Sequence, residues 1–332
     1  MSLPNVSLIL FAYNQEQFIS DAARSCLQQD YGGQLEILFS DDCSTDNTFD
    51  VLQNMAQLYA GQHTVIVRRN AVNLGIGAHY NCAITEATGE LIFTAAGDDI
   101  SHPQRVSLIV AAWLAAKKRP DLLTSNLQKI QIDGTAAGVL SVSDLSLWQS
   151  PEQWIKKRPY VVGAAHAFTR RLHEKFGDFL PDLVYEDQIM AFRATLMGGG
   201  LKVSQPLVLY REGGISQSKS TLASAYDYQN WSFRHFSRQH AQYLQIQKDL
   251  VTANRSDLWL GKLRRNLQEA RFVLTLHACQ TFDESVQAAL RSTHSRWLFR
   301  LKHLLYLSLP GIAISIQRLQ QRLKKCGCNI DS

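Results

Sequence analysis

A chain of 332 residues with 45% hydrophobic content has the length and composition of a globular protein with one large domain and a smaller one. Its formal charge of +5 is too small to indicate nucleic-acid binding. The excess is local: no Asp or Glu lies between Glu284 and Asp331, a stretch that holds Arg291, Arg296, Arg300, Lys302, Arg318, Arg322, Lys324 and Lys325. The start, MSLPNVSLILFAYN, lacks the basic n-region of a signal peptide, and its apolar run passes straight into a polar turn. The expectation is a cytoplasmic catalytic part. The six cysteines fit neither a disulfide scaffold nor a zinc motif and read as reduced thiols, with Cys326 and Cys328 in a plain tail.

Taken in chain order, the first elements alternate. Val6 to Ala12 is a continuous apolar run, as in a strand buried on both faces. Apolar residues then recur at helical spacing from Glu16 to Gln29. Leu35 to Phe39 predicts a strand, Thr48 to Tyr59 a helix, Thr64 to Val67 a strand and Gly77 to Glu86 a helix. Leu91 to Ala95 predicts a fourth strand, and Pro103 to Lys117 a helix with Pro in its first turn. This alternation implies an α/β fold with a doubly wound, mostly parallel sheet, and ligands bind such sheets beyond the carboxyl ends of the strands. Further on come a strand over Leu122 to Ile132, a turn at Asp133-Gly134, a small apolar stretch from Val161 to Phe168, a helix over Glu186 to Met197 and a strand over Leu201 to Tyr210. From about Thr221 the chain is mostly helical. The polar stretch Ser216 to Ser220 marks a boundary between a catalytic domain, 1–216, and a helical, basic region, 217–332.

Three acidic stations punctuate this pattern: Asp41-Asp42 in LEILFSDDCSTDNT, Asp98-Asp99 in LIFTAAGDDI, and Glu186-Asp187 in VYEDQIMAFRATL. Paired carboxylates after a buried strand suit a hard divalent cation such as Mn²⁺ or Mg²⁺, which shares one or two carboxylates with a substrate's phosphates. The pattern points to chemistry on a phosphorylated substrate.

Five segments, in order, resemble family-2 glycosyltransferases, inverting enzymes of the GT-A fold. They are VSLILFAYNQEQFI, FSDDCSTDNT, RRNAVNLGIGAHYNCAITEATGELIFTAAGDDI, VYEDQIMAFRATLMGG and LVLYREGGIS, spread over about the first two-thirds of the chain. The resemblance implies that Ala12, Tyr13 and Asn14 lie at the nucleotide base, that Asp98 and Asp99 hold the metal and donor, and that Asp187 is the general base with Glu186 beside it. One departure stands out. The family's metal motif often reads D-x-D-D or D-x-D, and here the first acidic place is Ala96. Either Asp98 or Asp99 is then the direct ligand.

The residue chemistry is compatible with these roles. Ionised Asp41 or Asp42 can accept the N3–H of a pyrimidine base, while Ser44, Asp46 and Asn47 are cap formers for the helix at Thr48. Tyr13 offers a ring face for stacking or for the core. Arg68 or Arg69 reaches the base or the phosphates, or lies exposed at a strand end. Arg211, beside the Gly213-Gly214-Ile215-Ser216 loop, adds a cation near the leaving group or belongs to a domain-exit loop. His166 reads as a satisfied core histidine. Glu186 and Asp187 also suit the first turn of a helix.

The reading is an inverting, metal-dependent hexosyl- or deoxyhexosyltransferase. It moves a sugar from a UDP- or dTDP-linked donor to a hydroxyl of a glycan or lipid-linked acceptor in cell-surface polysaccharide synthesis. A nucleotidyltransferase would show a glycine-rich phosphate loop after the first strand, and Ala12-Tyr13-Asn14-Gln15-Glu16 has no glycine. A catalytically inactive sugar-nucleotide-binding or scaffold protein is the rival from another class. The tail from Arg296 to Lys325 has apolar runs too short to span a bilayer and basic clusters at both ends. It suits a helix pair on the inner membrane face, or a hairpin packed on protein or on a second subunit of a homo-oligomer.

Overall fold

The structure, a computed structural model, describes residues 3–213, 224–292 and 295–316. The chain forms two compact units. One comprises Met1–Ser218 with Lys248–Ser256, the other Lys219–Gln247 with Asp257–Ser332. The polar stretch 216–220, the Gly214-Ile215-Ser216 part of the loop and the tail from 317, with Cys326 and Cys328, fall outside the described residues.

In the first unit the elements are β1 (Val6–Ala12), α1 (Ile19–Leu27), β2 (Leu35–Asp41), α2 (Thr48–Gln57), β3 (Thr64–Arg69), α3 (Ile76–Glu86), β4 (Leu91–Ala96), β5 (Ile100–Ser101) and α4 (Arg105–Ala115). There follow β6 (Leu122–Ile130), β7 (Ala136–Leu140), α5 (Pro151–Lys156), β8 (His166–Thr169), α6 (Arg170–Phe176), α7 (Glu186–Leu196) and β9 (Gly200–Arg211). The sheet order is β3-β2-β1-β4-β8-β6-β9-β5, with β7 paired to β6. The first four strands are parallel, as right-handed helical crossovers require. Beyond β4 the sheet is mixed. β8 runs antiparallel to β4 and β6, while β6 and β9 are parallel to each other. Here a tight hairpin at Asp133-Gly134 joins β6 to antiparallel β7.

Successive side chains of a strand point to opposite faces. On β1, Val6, Leu8, Leu10 and Ala12 join a core with Ile19, Ala22, Ala23 and Cys26 of α1 and Val106, Ile109, Val110 and Trp113 of α4. Phe11 faces the other way and stacks on Tyr80 of α3, ring centroids 4.8 Å apart. Tyr80 in turn meets Phe168 and Phe179 at 6.0 and 5.4 Å. Helix α7 is anchored by a fully buried ion pair: Arg193 donates through Nε and Nη2 to Asp249 at 2.9 and 3.1 Å, with its guanidinium over the Phe179 ring. Such a pair costs desolvation of both ions and is firm only with good geometry, which this bidentate arrangement has.

The second unit is helical: α8 (Ala225–Thr252, whose last turn belongs to the first unit), α9 (Lys262–Ala278), α10 (Phe282–Arg291) and α11 (Trp297–Ser308). Phe236, Ala270, Phe272, Val273 and Leu276 form its core, with Phe299, Leu304 and Leu307 packed against it. Among the described residues no helix is long and apolar enough to cross a membrane.

Candidate functional site

Strand register builds the site. Ala12 pairs with Asp41, and Asp41 with Arg69, so the ends of β1, β2 and β3 place these three residues in one row. One step earlier Phe11 pairs with Ala96, and two residues beyond Ala96 come Asp98 and Asp99. Ala12, Asp41, Arg69 and the Asp98-Asp99 turn therefore share the carboxyl edge of the parallel sheet, where ligands of such sheets bind.

The loops after β1 and β2 are stitched together. Asn14 adopts φ 51°, donates its amide to Ser44 Oγ at 2.9 Å and accepts from Thr45 N at 2.8 Å. Gln15 N donates to Thr48 Oγ1, and Glu16 N to Asp46 Oδ2. These bonds hold residues 14–18 in a loop, which is why α1 starts at Ile19 and not at Glu16. Tyr13 is left 39% exposed at the rim, so its ring is not core packing.

The two aspartates after β2 have different surroundings. Asp41 is fully buried, accepts from Ser44 N and Ser44 Oγ, and faces Arg69 Nε at 3.3 Å. The Asp42 carboxylate accepts from Asn70 Nδ2, Asn73 Nδ2, Leu74 N and Gly75 N, at 2.6 to 3.2 Å. It closes the turn leading into α3, and its lone pairs are filled by the fold. Beneath it, His79 meets Ser40 Oγ at 2.6 Å, and Arg68 donates to Ser40 Oγ and Asn70 Oδ1. Burial pushes His79 down to about 4.

Asp98 and Asp99 are both buried at the mouth of β4. Burial first, then the neighbouring Asp98 carboxylate, push Asp99 up to about 8. Two adjacent carboxylates that resist joint ionisation form a donor set suited to a divalent cation. Among the described residues no group of three or more His, Cys, Asp or Glu is arranged to hold a metal. Two carboxylates agree with a Mg²⁺- or Mn²⁺-type site completed by substrate phosphates, not with an all-protein cage. Arg211, at the end of β9, braces this turn. Its amide donates to Asp99 Oδ1 at 2.9 Å, its Nε to Asp98 O at 3.0 Å and its Nη1 to Ile132 O at 2.8 Å, and it lies over the Phe18 ring. Sequence reasoning did not single out Arg105. Fully buried at the start of α4, it donates to Thr94 O, His166 O and Ser101 Oγ and so joins β4, β8 and β5 around the turn.

Glu186 and Asp187 open α7. Asp187 Oδ1 accepts from Gln188 N at 2.6 Å. Gly163 lies against the pair: a Cβ there would come within 2.8 Å of Glu186 Oε1. Gly163 O accepts from Thr94 Oγ1 of β4 at 2.6 Å, so a short path joins the α7 start to the strand that ends in Asp98-Asp99. Burial raises both carboxyls above the ordinary range, and at Glu186 the Asp187 charge adds to it. Their field also helps burial to hold the Tyr80 hydroxyl well above 10. His166 is buried as expected but not satisfied, since neither ring nitrogen has a partner among the described residues.

Residues 7–169 match the model described as glycosyl transferase family 2. The candidate glycosyltransferase EpsE of Bacillus subtilis (strain 168) is 34% identical over 108 residues, 32% of this chain and 38% of EpsE. A poly(ribitol-phosphate) beta-glucosyltransferase of Bacillus spizizenii is 34% identical over 95 residues, 28% of this chain and 15% of that enzyme. This chain thus spans well under half of these relatives. Among solved structures, S. aureus TarS 1-349 in complex with UDP-GlcNAc superposes with TM-score 0.52 at 16% identity, covering 98% of this chain and 93% of that one. GalNAc-T7 with UDP, GalNAc and Mn²⁺ gives TM-score 0.54 at 17% identity, covering 77% and 56%. At these identities the structures speak for the GT-A fold alone. The matched segment, just under half of the chain, runs from β1 through the Asp41-Asp42 and Asp98-Asp99 turns to the end of β8, and over it the chain is similar to glycosyl transferase family 2.

Proposed function

We propose that the protein transfers a hexosyl or deoxyhexosyl unit from a UDP- or dTDP-linked donor to a hydroxyl of a glycan or lipid-linked acceptor, with inversion, in cell-surface polysaccharide synthesis. The observation that carries this reading is the shared edge: the Ala12–Asp41–Arg69 row, the Asp98-Asp99 turn beyond Ala96, and the Glu186-Asp187 helix start linked to β4 through Gly163 and Thr94. The sugar nucleotides in the related folds and the poly(ribitol-phosphate) named for one relative support the donor and acceptor classes.

Tyr13 offers its exposed ring to the base, and Asp41, with Asn14 and Arg69 around it, stands on the base side of the donor. Asp42 holds the loop that shapes this subsite. Asp98 and Asp99 would hold a Mn²⁺ or Mg²⁺ ion, which when bound offsets charge on the leaving diphosphate. Arg211 fixes the backbone that presents the two carboxylates. Asp187 takes the acceptor hydroxyl's proton while that oxygen attacks the anomeric carbon and the bond to the diphosphate breaks. Its raised pKa makes it a stronger base than an exposed Asp. Glu186 orients the acceptor.

The test is a thermal-shift panel of nucleoside diphosphates with and without Mn²⁺. A ligand that binds the folded state alone raises the melting temperature with its concentration. UDP or dTDP is expected to stabilise the protein in a cation-dependent way. Equal stabilisation in excess chelator would overturn the metal assignment, and no stabilisation by any nucleotide would overturn the donor class.

A further inference from the structure

The second unit carries a feature that sugar transfer does not use. One face of α11 packs on the unit's own core: Phe299 and Leu307 join the Phe236–Phe272 cluster, and His303 lies 4.3 Å from the Phe299 ring and 5.1 Å from that of Phe236. Its other face is also apolar. Leu298, Leu301, Leu305, Leu309, Ile312 and Ile316 recur at three- and four-residue spacing, continue past the break at Leu309 into a helical stretch over 310–316, and are each 37% to 61% exposed. Trp297, 64% exposed, stands at the head of this stripe. A row of six large aliphatic side chains in water is far more than the scattered exposure usual on a soluble surface.

The charge around the stripe indicates what covers it. The second unit holds 15 Lys and Arg against 6 Asp and Glu, a net +9, while the first holds 19 against 23, a net −4. No acidic residue lies between Glu284 and Asp331. Lys302 projects beside the stripe over the Tyr306 ring, and Arg296, 65% exposed, pairs with Glu269 at 3.0 Å. A second copy on a two-fold axis would bring the same cations against themselves with no acid on the segment to offset them. An anionic bilayer meets both demands, since acyl chains receive the stripe and headgroups neutralise the cations. We propose that the α11 stripe is a docking surface for anionic lipid membranes, seated in the interface and not spanning it. This inference stands independently of the catalytic reading.

The test is co-sedimentation of the full chain with phosphatidylglycerol-containing and pure phosphatidylcholine vesicles, read alongside light scattering. The expected result is binding to the anionic vesicles that weakens as ionic strength rises. The double variant Leu301→Glu, Leu305→Glu should bind at least about tenfold more weakly, with its melting temperature unchanged because both side chains are exposed. Lys302→Glu, a change at an exposed polar position, should give a smaller loss in the same direction. No binding to anionic vesicles, equal binding to neutral ones, or wild-type binding by the double variant would overturn the proposal. So would a dimer in solution that the double variant dissociates, which would assign the stripe to a second copy.

Discussion

Asp42 receives four donors from the fold, two asparagine amides and the backbone amides of Leu74 and Gly75, whereas the Asp187 carboxylate meets backbone amides of its own helix start, Gln188 N at 2.6 Å among them. The two stations, Asp41-Asp42 and Glu186-Asp187, are spelled almost alike in sequence. At the first, the loop after β3 and the turn into α3 fill the carboxylate's lone pairs, and its charge is spent on holding backbone together. At the second, burial raises both carboxyls and outweighs the backbone hydrogen bonds that would lower them. A carboxylate saturated by the fold is scaffold, and one whose desolvation outweighs its hydrogen bonds is poised to accept a proton.

The contrast breaks most visibly if Asp187 proves dispensable. Asp187→Asn is nearly isosteric and cannot take the proton, so transfer should fall about 10²–10⁴-fold while donor affinity, measured by calorimetry, stays within a few-fold. Next in size, Asp99→Ala should weaken nucleoside-diphosphate binding in Mn²⁺ by roughly tenfold or more and leave metal-free binding unchanged. Undiminished cation dependence in the variant would place the metal elsewhere. At the scaffold station the effect belongs in stability: Asp42→Ala removes the acceptor of four donors, buried Asn70 among them, and should cost about 1–3 kcal/mol in urea unfolding. A near-wild-type midpoint would show that water replaces the carboxylate and that Asp42 is free for other work.

The smallest effect is a pH dependence at the same station. His79 takes a proton only near 4 when folded and near its ordinary 6.5 when unfolded. The unfolded state therefore binds the extra proton between these values, and His79's contribution to stability is intact above 6.5 and is lost as pH falls toward 4. His79→Gln should flatten that part of the stability profile, and an unchanged acid limb would remove His79 as its source.

Much of this was legible in the chain. Continuous apolar runs located β1, β2 and β4, because strands buried on both faces need no alternation, and two of the acidic stations, Asp41-Asp42 and Asp98-Asp99, marked the sheet edge. The second half read less well. β8 is four residues long and β5 two, too short for any periodicity, and their places depend on long-range pairing with β6 and β9. Helix α5 does carry a signal in sequence, Ser150-Pro151-Glu152-Gln153, a capping box with Pro in the first turn. At the site, sequence located the aspartates but not their states. Nothing in Asp41-Asp42 says which carboxylate is saturated, since Asn70, Asn73, Leu74 and Gly75 arrive from some thirty residues downstream. In sequence Arg105 is one charge in an apolar helix, and its three strand contacts exist only in the folded sheet.

The most direct test of the account is the pH dependence of kcat/KM for sugar transfer, which reports the essential base of the free enzyme. Burial pushes Asp187 up to about 6, so activity should rise with pH through an inflection near that value and the limb should vanish with Asp187→Asn. An inflection near 4, where an exposed aspartate titrates, would contradict the claim that the fold leaves the α7 carboxyls desolvated and poised.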